Sequence, residues 1–160
     1  MKTYKGKFKP KNTSKYDGDH TNVVYRSLWE KYTFMWCDSN SEIKSWSSEE
    51  TIVPYISAID NRAHRYFVDL KITTNEGKVF LIEIKPAKQT KKPKSQRRTK
   101  ASINESLEYV KNQCKWKAAN AYCADRGWKF EIWTENELSK WGILPKSTQK
   151  FAPYKRKKSK

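Results

Sequence analysis

The sequence predicts a mixed α/β domain of the α+β type, with a central mixed sheet flanked by helices in the order helix, three strands, long helix, strand. Three observations carry this expectation. Apolar residues recur at helical spacing near the start of the chain and again beyond residue 100. Two runs with two-residue alternation are joined by turn residues. A proline closes the second run ahead of a long basic stretch.

The first helix is expected over 23–38. Tyr25, Leu28, Tyr32 and Met35 form its apolar stripe, Arg26, Glu30 and Thr33 lie on a neighbouring face, and Asp38-Ser39-Asn40 supplies the stop. A strand is expected over 49–55, with Pro54 at an edge or bend. Residues 65–73 alternate as one strand, with Tyr66, Val68, Leu70 and Ile72 on one side and Phe67, Asp69 and Lys71 on the other. The turn Thr74-Asn75-Glu76-Gly77 leads into a strand over 78–85. There Phe80, Ile82 and Ile84 face one way and Val79, Leu81, Glu83 and Lys85 the other, until Pro86 removes a ladder donor. The cap sequence Ser102-Ile103-Asn104-Glu105 opens a long helix that ends at Gly127, with Ile103, Leu107, Val110, Cys114, Ala118 and Ala121 as its buried stripe. A strand over 128–134 follows, and Thr134-Glu135-Asn136-Glu137 caps a short closing helix.

The 160 residues suggest one domain, over 21–145, between a basic arm (1–20) and a basic tail (146–160). Seven Trp, nine Tyr and six Phe supply a core. A net charge of +17 makes a polyanion the natural partner, nucleic acid before an anionic membrane. No signal peptide, spanning segment or lipidation site is legible, which reads as a soluble protein without a membrane partner. Three cysteines without close pairing and two histidines argue against a disulfide framework and structural zinc, and fit a reducing compartment. Double-stranded DNA would be gripped by the acid-free run Lys88, Lys91, Lys92, Lys94, Arg97, Arg98 and Lys100, and by Lys155, Arg156, Lys157 and Lys158 of the tail. The alternative for the tail is a solubilising end.

The chemistry is read from Glu83-Ile84-Lys85. Taken alone, it reads as a surface pair on an exposed sheet. Asp69, set among apolar neighbours on the preceding hairpin strand, changes that, because the turn brings it beside Glu83 and within reach of one ion. Phosphodiester hydrolysis needs an activated hydroxide and a sink for charge on phosphoryl oxygens. Mg²⁺ (or Mn²⁺) takes hard oxygen ligands and needs only one or two carboxylates. Lys85 would stabilise the developing negative charge. Gln113 and Lys117, at i,i+4 on the long helix, are candidates to project toward the cleft or to form a solvated face, and His64 to bind a phosphate or serve the structure.

These residues resemble the PD-(D/E)xK nuclease superfamily, with Val68 where its motif carries proline. Six ordered stretches (4–12, 25–30, 45–50, 54–57, 64–69 and 81–86) resemble the head-completion nucleases of T-even-type tailed phages, and Glu30 and Glu49 resemble acidic positions of TnsA-type transposon endonucleases. The resemblance implies a restriction-endonuclease-like fold and a divalent-metal-dependent DNA endonuclease of phage head completion. It implies a location in the virion or the host cytoplasm, and head, portal or neck proteins as partners. It makes Asp69 and Glu83 metal ligands, the carbonyl of Ile84 a further ligand, Lys85 the catalytic lysine and Glu30 an additional acid at the metal, with Glu49 a further candidate. A carboxylate on an exposed helix, paired with Arg26, is the other reading of Glu30. A non-enzymatic basic virion protein that plugs or bridges the head vertex, and a structure-specific nuclease of branched DNA, are the alternatives.

Overall fold

A computed structural model describes residues 4–94 and 97–144. The segment expected to be a free basic arm is folded onto the domain from Tyr4 onward. Strand β1 (Gly6–Phe8) pairs antiparallel with β2 (Val23–Tyr25). Its apolar residues account for the difference. Phe8 packs edge-on against Phe34 and Trp46, at 5.7 and 5.9 Å between ring centres, and Tyr16 stands 4.8 Å from Trp46. The buried Asp38 carboxylate accepts the Lys11 amide at 2.9 Å, while Lys5, Lys7, Lys9 and Lys11 stay exposed. The basic tail, with Lys155, Arg156, Lys157 and Lys158, lies outside the described residues.

Because Val23–Tyr25 is a strand, the first helix starts later than its periodicity suggests. Helix α1 (Leu28–Ser39) is capped by Ser27, whose side chain accepts from Glu30 N at 3.2 Å. Its buried face is Thr33, Phe34, Cys37 and Asp38, and Met35 of the expected stripe is exposed. Strand β3 (Ile43–Ser47) was not anticipated, since Lys44 and Ser45 hide its pattern. The expected strand over 49–55 is β4 (Ile52–Ile56), preceded by Glu49 in the left-handed region at φ +55°.

The run expected as one strand over 65–73 is two. β5 (Ala63–Phe67) pairs with β4 in a separate two-stranded ribbon, and β6 (Leu70–Thr74) pairs with β3 and β7 (Val79–Ile84). At the break, Val68 donates to Thr51 O (3.0 Å) and accepts from Glu49 N (3.1 Å), so Asp69 stands where the chain changes sheets. The main sheet has the order β3-β6-β7-β8, antiparallel except for the parallel β7–β8 (Lys129–Trp133) pair. That pair needs a crossover, which α2 (Lys100–Arg126) provides. Helix α3 (Glu135–Lys140) follows and carries the anticipated cap, with Thr134 and Glu137 bonded reciprocally.

Alternation along β7 divides the interior. Ile82 and Ile84 join Trp46, Leu70, Ile72 and Trp133 under α1 and α3. Leu81 faces the other way, into a cluster with Val53, Tyr55, Tyr66 and Val68 of the ribbon segment and Trp116, Ala119 and Cys123 of α2. The stripe expected for α2 is therefore displaced. Ile103, Leu107 and Val110 are exposed, and Asn112, Trp116, Ala119 and Cys123 face inward. The N-cap is Thr99, in a capping box with Ser102, three residues before the expected start. The basic loop before it begins with a 3-10 turn at Ala87–Thr90. Among the described residues no helix is long and apolar enough to cross a membrane.

Gly127 ends α2 at φ +70° with open space around its missing Cβ. Gly127→Ala should destabilise the fold by about 1–2 kcal/mol through backbone strain alone. The denaturation midpoint is the measurement, and an unchanged value would argue against a left-handed cap.

Candidate active site

Antiparallel register builds the centre. Leu70 opposes Ile82, so the residue before Leu70 comes opposite the residue after Ile82, and Asp69 meets Glu83. Asp69 Oδ2 accepts from Ile84 N at 2.9 Å. Glu83 is 6% exposed and accepts a short hydrogen bond from the Tyr66 hydroxyl. Lys85 follows the last residue of β7, anchored by its amide to Trp133 O at 3.0 Å, and its Nζ stands 3.5 Å from Glu83 Oε1. The structure thus brings together the three residues on which the sequence reading rests, with Ile84 between them.

Two more carboxylates border this centre. Glu30, in the first turn of α1, accepts from Arg26 N at 2.8 Å. Its expected side-chain pairing with Arg26 is not formed. The Arg26 guanidinium instead forks onto Glu49, with Nε–Oε1 at 2.8 Å and a second nitrogen at 3.3 Å. The left-handed turn at Glu49 and the bond from its amide to Val68 O hold it beside the Asp69 bend. A carboxylate with one guanidinium fork is a strong, oriented pair. The Arg26 pKa is raised by that pair, with smaller contributions from the charges of Glu30 and Asp69.

Electrostatics show how crowded the centre is. Burial raises the Asp69 carboxyl well above its ordinary range, and the charges of Glu83 and Glu30 push it further, against the Ile84 amide and Lys85. Glu30 is also raised, chiefly by burial, then by Glu49 and Glu83. Burial and the adjacent Glu83 raise Tyr66, so it remains a neutral donor to Glu83. Lys115 of α2 lies 5.4 Å from the centre of the Tyr66 ring, and its pKa is lowered by burial and by Lys111. Among the described residues no three His, Cys, Asp or Glu side chains converge closely enough to cage an ion by themselves.

Other candidates fall elsewhere. His64 pairs with Asp60 Oδ2 at 2.8 Å and stacks on Tyr55, at the turn end of the ribbon. Gln113 and Lys117 are exposed, and the α2 residues turned toward the centre are Lys115 and Trp116. The loop cations Lys88, Lys91, Lys92, Lys94, Arg97, Arg98 and Lys100 are exposed, and of these Lys88 and Lys91 line a cleft together with Lys85. Sequence reasoning missed Tyr66, Arg26 and Lys115. Tyr66 carried a signal, because a phenol on the same side of an alternating run as Val68, Leu70 and Ile72 needs a partner once buried.

A family model for the TnsA-like endonuclease N-terminal domain matches residues 40–135, which take in Glu49, Asp69, Glu83 and Lys85. The chain belongs to the TnsA-like endonuclease family. It is also 43% identical over 145 residues to the head completion nuclease of Enterobacteria phage T4, covering 88% of this chain and 97% of that one. The mixed sheet flanked by helices is the restriction-endonuclease-like fold consistent with this TnsA-like domain. Glu30 falls outside the matched region.

Burial and the neighbouring carboxylates disfavour the charged form of Asp69. A raised folded pKa adds stability below the unfolded value, about 4, and that stability is lost as pH rises through the folded value. Asp69→Asn should therefore match wild type near about pH 4 and become the higher-melting of the two as pH rises toward about 8. Metal-free calorimetry across that range tests the sign, and a variant less stable at high pH would contradict it.

Proposed function

We propose that the protein is a divalent-metal-dependent DNA endonuclease that hydrolyses phosphodiester bonds during phage head completion. The observation that carries the reading is Asp69 opposite Glu83 on paired strands, with the Lys85 ammonium 3.5 Å from Glu83. The donor set fits Mg²⁺ or Mn²⁺. Both ligands are hard carboxylate oxygens, Asp69 is crowded by like charge that a dication would relieve, and such an ion needs only one or two carboxylates. The carbonyl of Ile84 and the carboxylate of Glu30 are the further ligands we assign. A bound ion would supply Lewis acidity and lower the pKa of a water.

The chain's own residues do the rest. Tyr66 fixes the rotamer of Glu83, and the Ile84 amide fixes that of Asp69. Lys85 is held at the mouth of the site by its backbone bond to β8, where an ammonium stabilises negative charge gathering on a phosphoryl oxygen. Arg26 neutralises Glu49, which limits repulsion of an incoming phosphate. The loop cations 88–100 and the tail cations 155–158 give double-stranded DNA a grip that reads no sequence. A plug on the head vertex has no use for two carboxylates, one buried and one half-buried, held side by side by adjoining strands, which favours the enzyme. The name of the phage T4 relative supports the setting, and we assign the activity to the host cytoplasm or the virion, with head, portal or neck proteins as docking partners.

Purified protein with Mg²⁺ or Mn²⁺ should nick plasmid DNA, and Lys85→Ala or Asp69→Ala should slow this by about 10²–10⁴-fold with DNA binding retained. Equal rates in wild type and both variants would discard the assignment. Removing residues 155–160 should flatten the plot of log affinity against log salt by roughly 0.9 for each phosphate that the tail neutralises. An unaltered slope would assign the tail to another partner.

A further inference from the structure

Beside the centre lies a cleft of about 620 Å³ that starts at Lys85 and runs between the basic loop and the first half of α2. Its two walls differ in chemistry. The loop wall presents Lys88 and Lys91. The helix wall presents Glu105, Glu108, Tyr109 and Asn112, at the i, i+3, i+4, i+7 spacing of one helix face. Asn112 is only 6% exposed, yet its amide has no hydrogen-bond partner among the described residues. Among the described residues the fully buried side-chain polar atoms without a partner are Trp46 Nε1 and Trp116 Nε1, so the Asn112 amide is not sealed in the core but opens onto the cleft as a free donor and acceptor.

Tracking a phosphate backbone needs cations alone, and Glu105 and Glu108 weaken such a track. We propose that the cleft binds one unpaired nucleobase of the strand whose phosphate sits at Lys85, an inference that rests on the nuclease reading above. The phosphate lies along the lysine wall. The base turns toward α2, where Tyr109 offers a stacking surface, Asn112 a paired donor and acceptor, and the glutamates acceptors for exocyclic amino groups. A paired base presents neither its faces nor its Watson–Crick edge, so the nucleotide must be out of the helical stack. The volume is that of a small-ligand pocket, not of a duplex.

The test is to scan an abasic residue through the unpaired arm of a forked duplex and measure kcat/KM with Mg²⁺. Wild type should lose about tenfold at one position, the size of one stacking contact. In Tyr109→Ala and in Asn112→Ala that loss should shrink toward one. Because each protein is compared with itself, partial misfolding cancels. Equal cleavage of base-bearing and abasic substrates by wild type, or an undiminished loss in both variants, overturns the proposal. A second arm separates it from the nuclease reading. In metal-free buffer, 2-aminopurine at the same position should be quenched on binding wild type and not on binding Tyr109→Ala. Quenching without cleavage keeps the base site and removes the nuclease, whereas cleavage without quenching removes the base site.

Discussion

The hydrogen bond from Ile84 N to Asp69 Oδ2, at 2.9 Å, ties the break between β5 and β6 to the end of β7. Everything chemical about the molecule depends on that junction. It closes the ladder at the point where Asp69 comes opposite Glu83, and it spends a main-chain donor on a side chain at the place where the chain leaves one sheet for another. A slip of one residue would set Asp69 against an apolar side chain and turn Glu83 out of the Tyr66 pocket. The apolar alternation of β7, with Ile82 and Ile84 on one side and Leu81 on the other, forbids the slip because both faces are covered.

The same junction concentrates like charge. Asp69, Glu83, Glu30 and Glu49 border one opening, and Arg26, Lys85 and Lys115 answer them only in part. A fold tolerates such a cluster when its framework is stiff. Here the framework is the aromatic packing of Phe8, Tyr16 and Phe34 about Trp46, together with the sheet it supports. Folding residues 4–20 onto that aromatic packing is thus part of how the site is kept. Lys5, Lys7, Lys9 and Lys11 remain outside as an electropositive surface.

The parts legible in the sequence share a cause. Both faces of β7 are covered, so its alternation does not record burial. Period two still sets Phe80, Ile82 and Ile84 on one side and Leu81 and Glu83 on the other, and the face that carries Glu83 could be read from it. The break at Val68–Asp69 left no trace in the pattern, because Tyr66, Val68, Leu70 and Ile72 are all buried and keep alternating through it, although they enter two different clusters. Arg26 was hidden for another reason. Its partner Glu49 is 23 residues away, and only a left-handed turn carries the two together. Helix α2 misled because its largest aliphatic residues, Ile103, Leu107 and Val110, lie where no sheet covers them.

That last displacement explains the length of α2. Its second half is a buttress, with Trp116, Ala119 and Cys123 closing over Leu81 and Tyr66. Its first half has no sheet beneath it and stands against the basic loop instead. A crossover helix needs only enough turns to span the sheet, so the surplus turns of a 27-residue helix form a second wall beside Lys85. The buried face changes from small and apolar to polar at Asn112, four residues before Trp116. One continuous helix therefore joins the packing that fixes Glu83 to the surface that would meet the strand being cut. Tilting one would tilt the other, which couples the position of Glu83 to the cleft beside Lys85 through backbone rigidity alone.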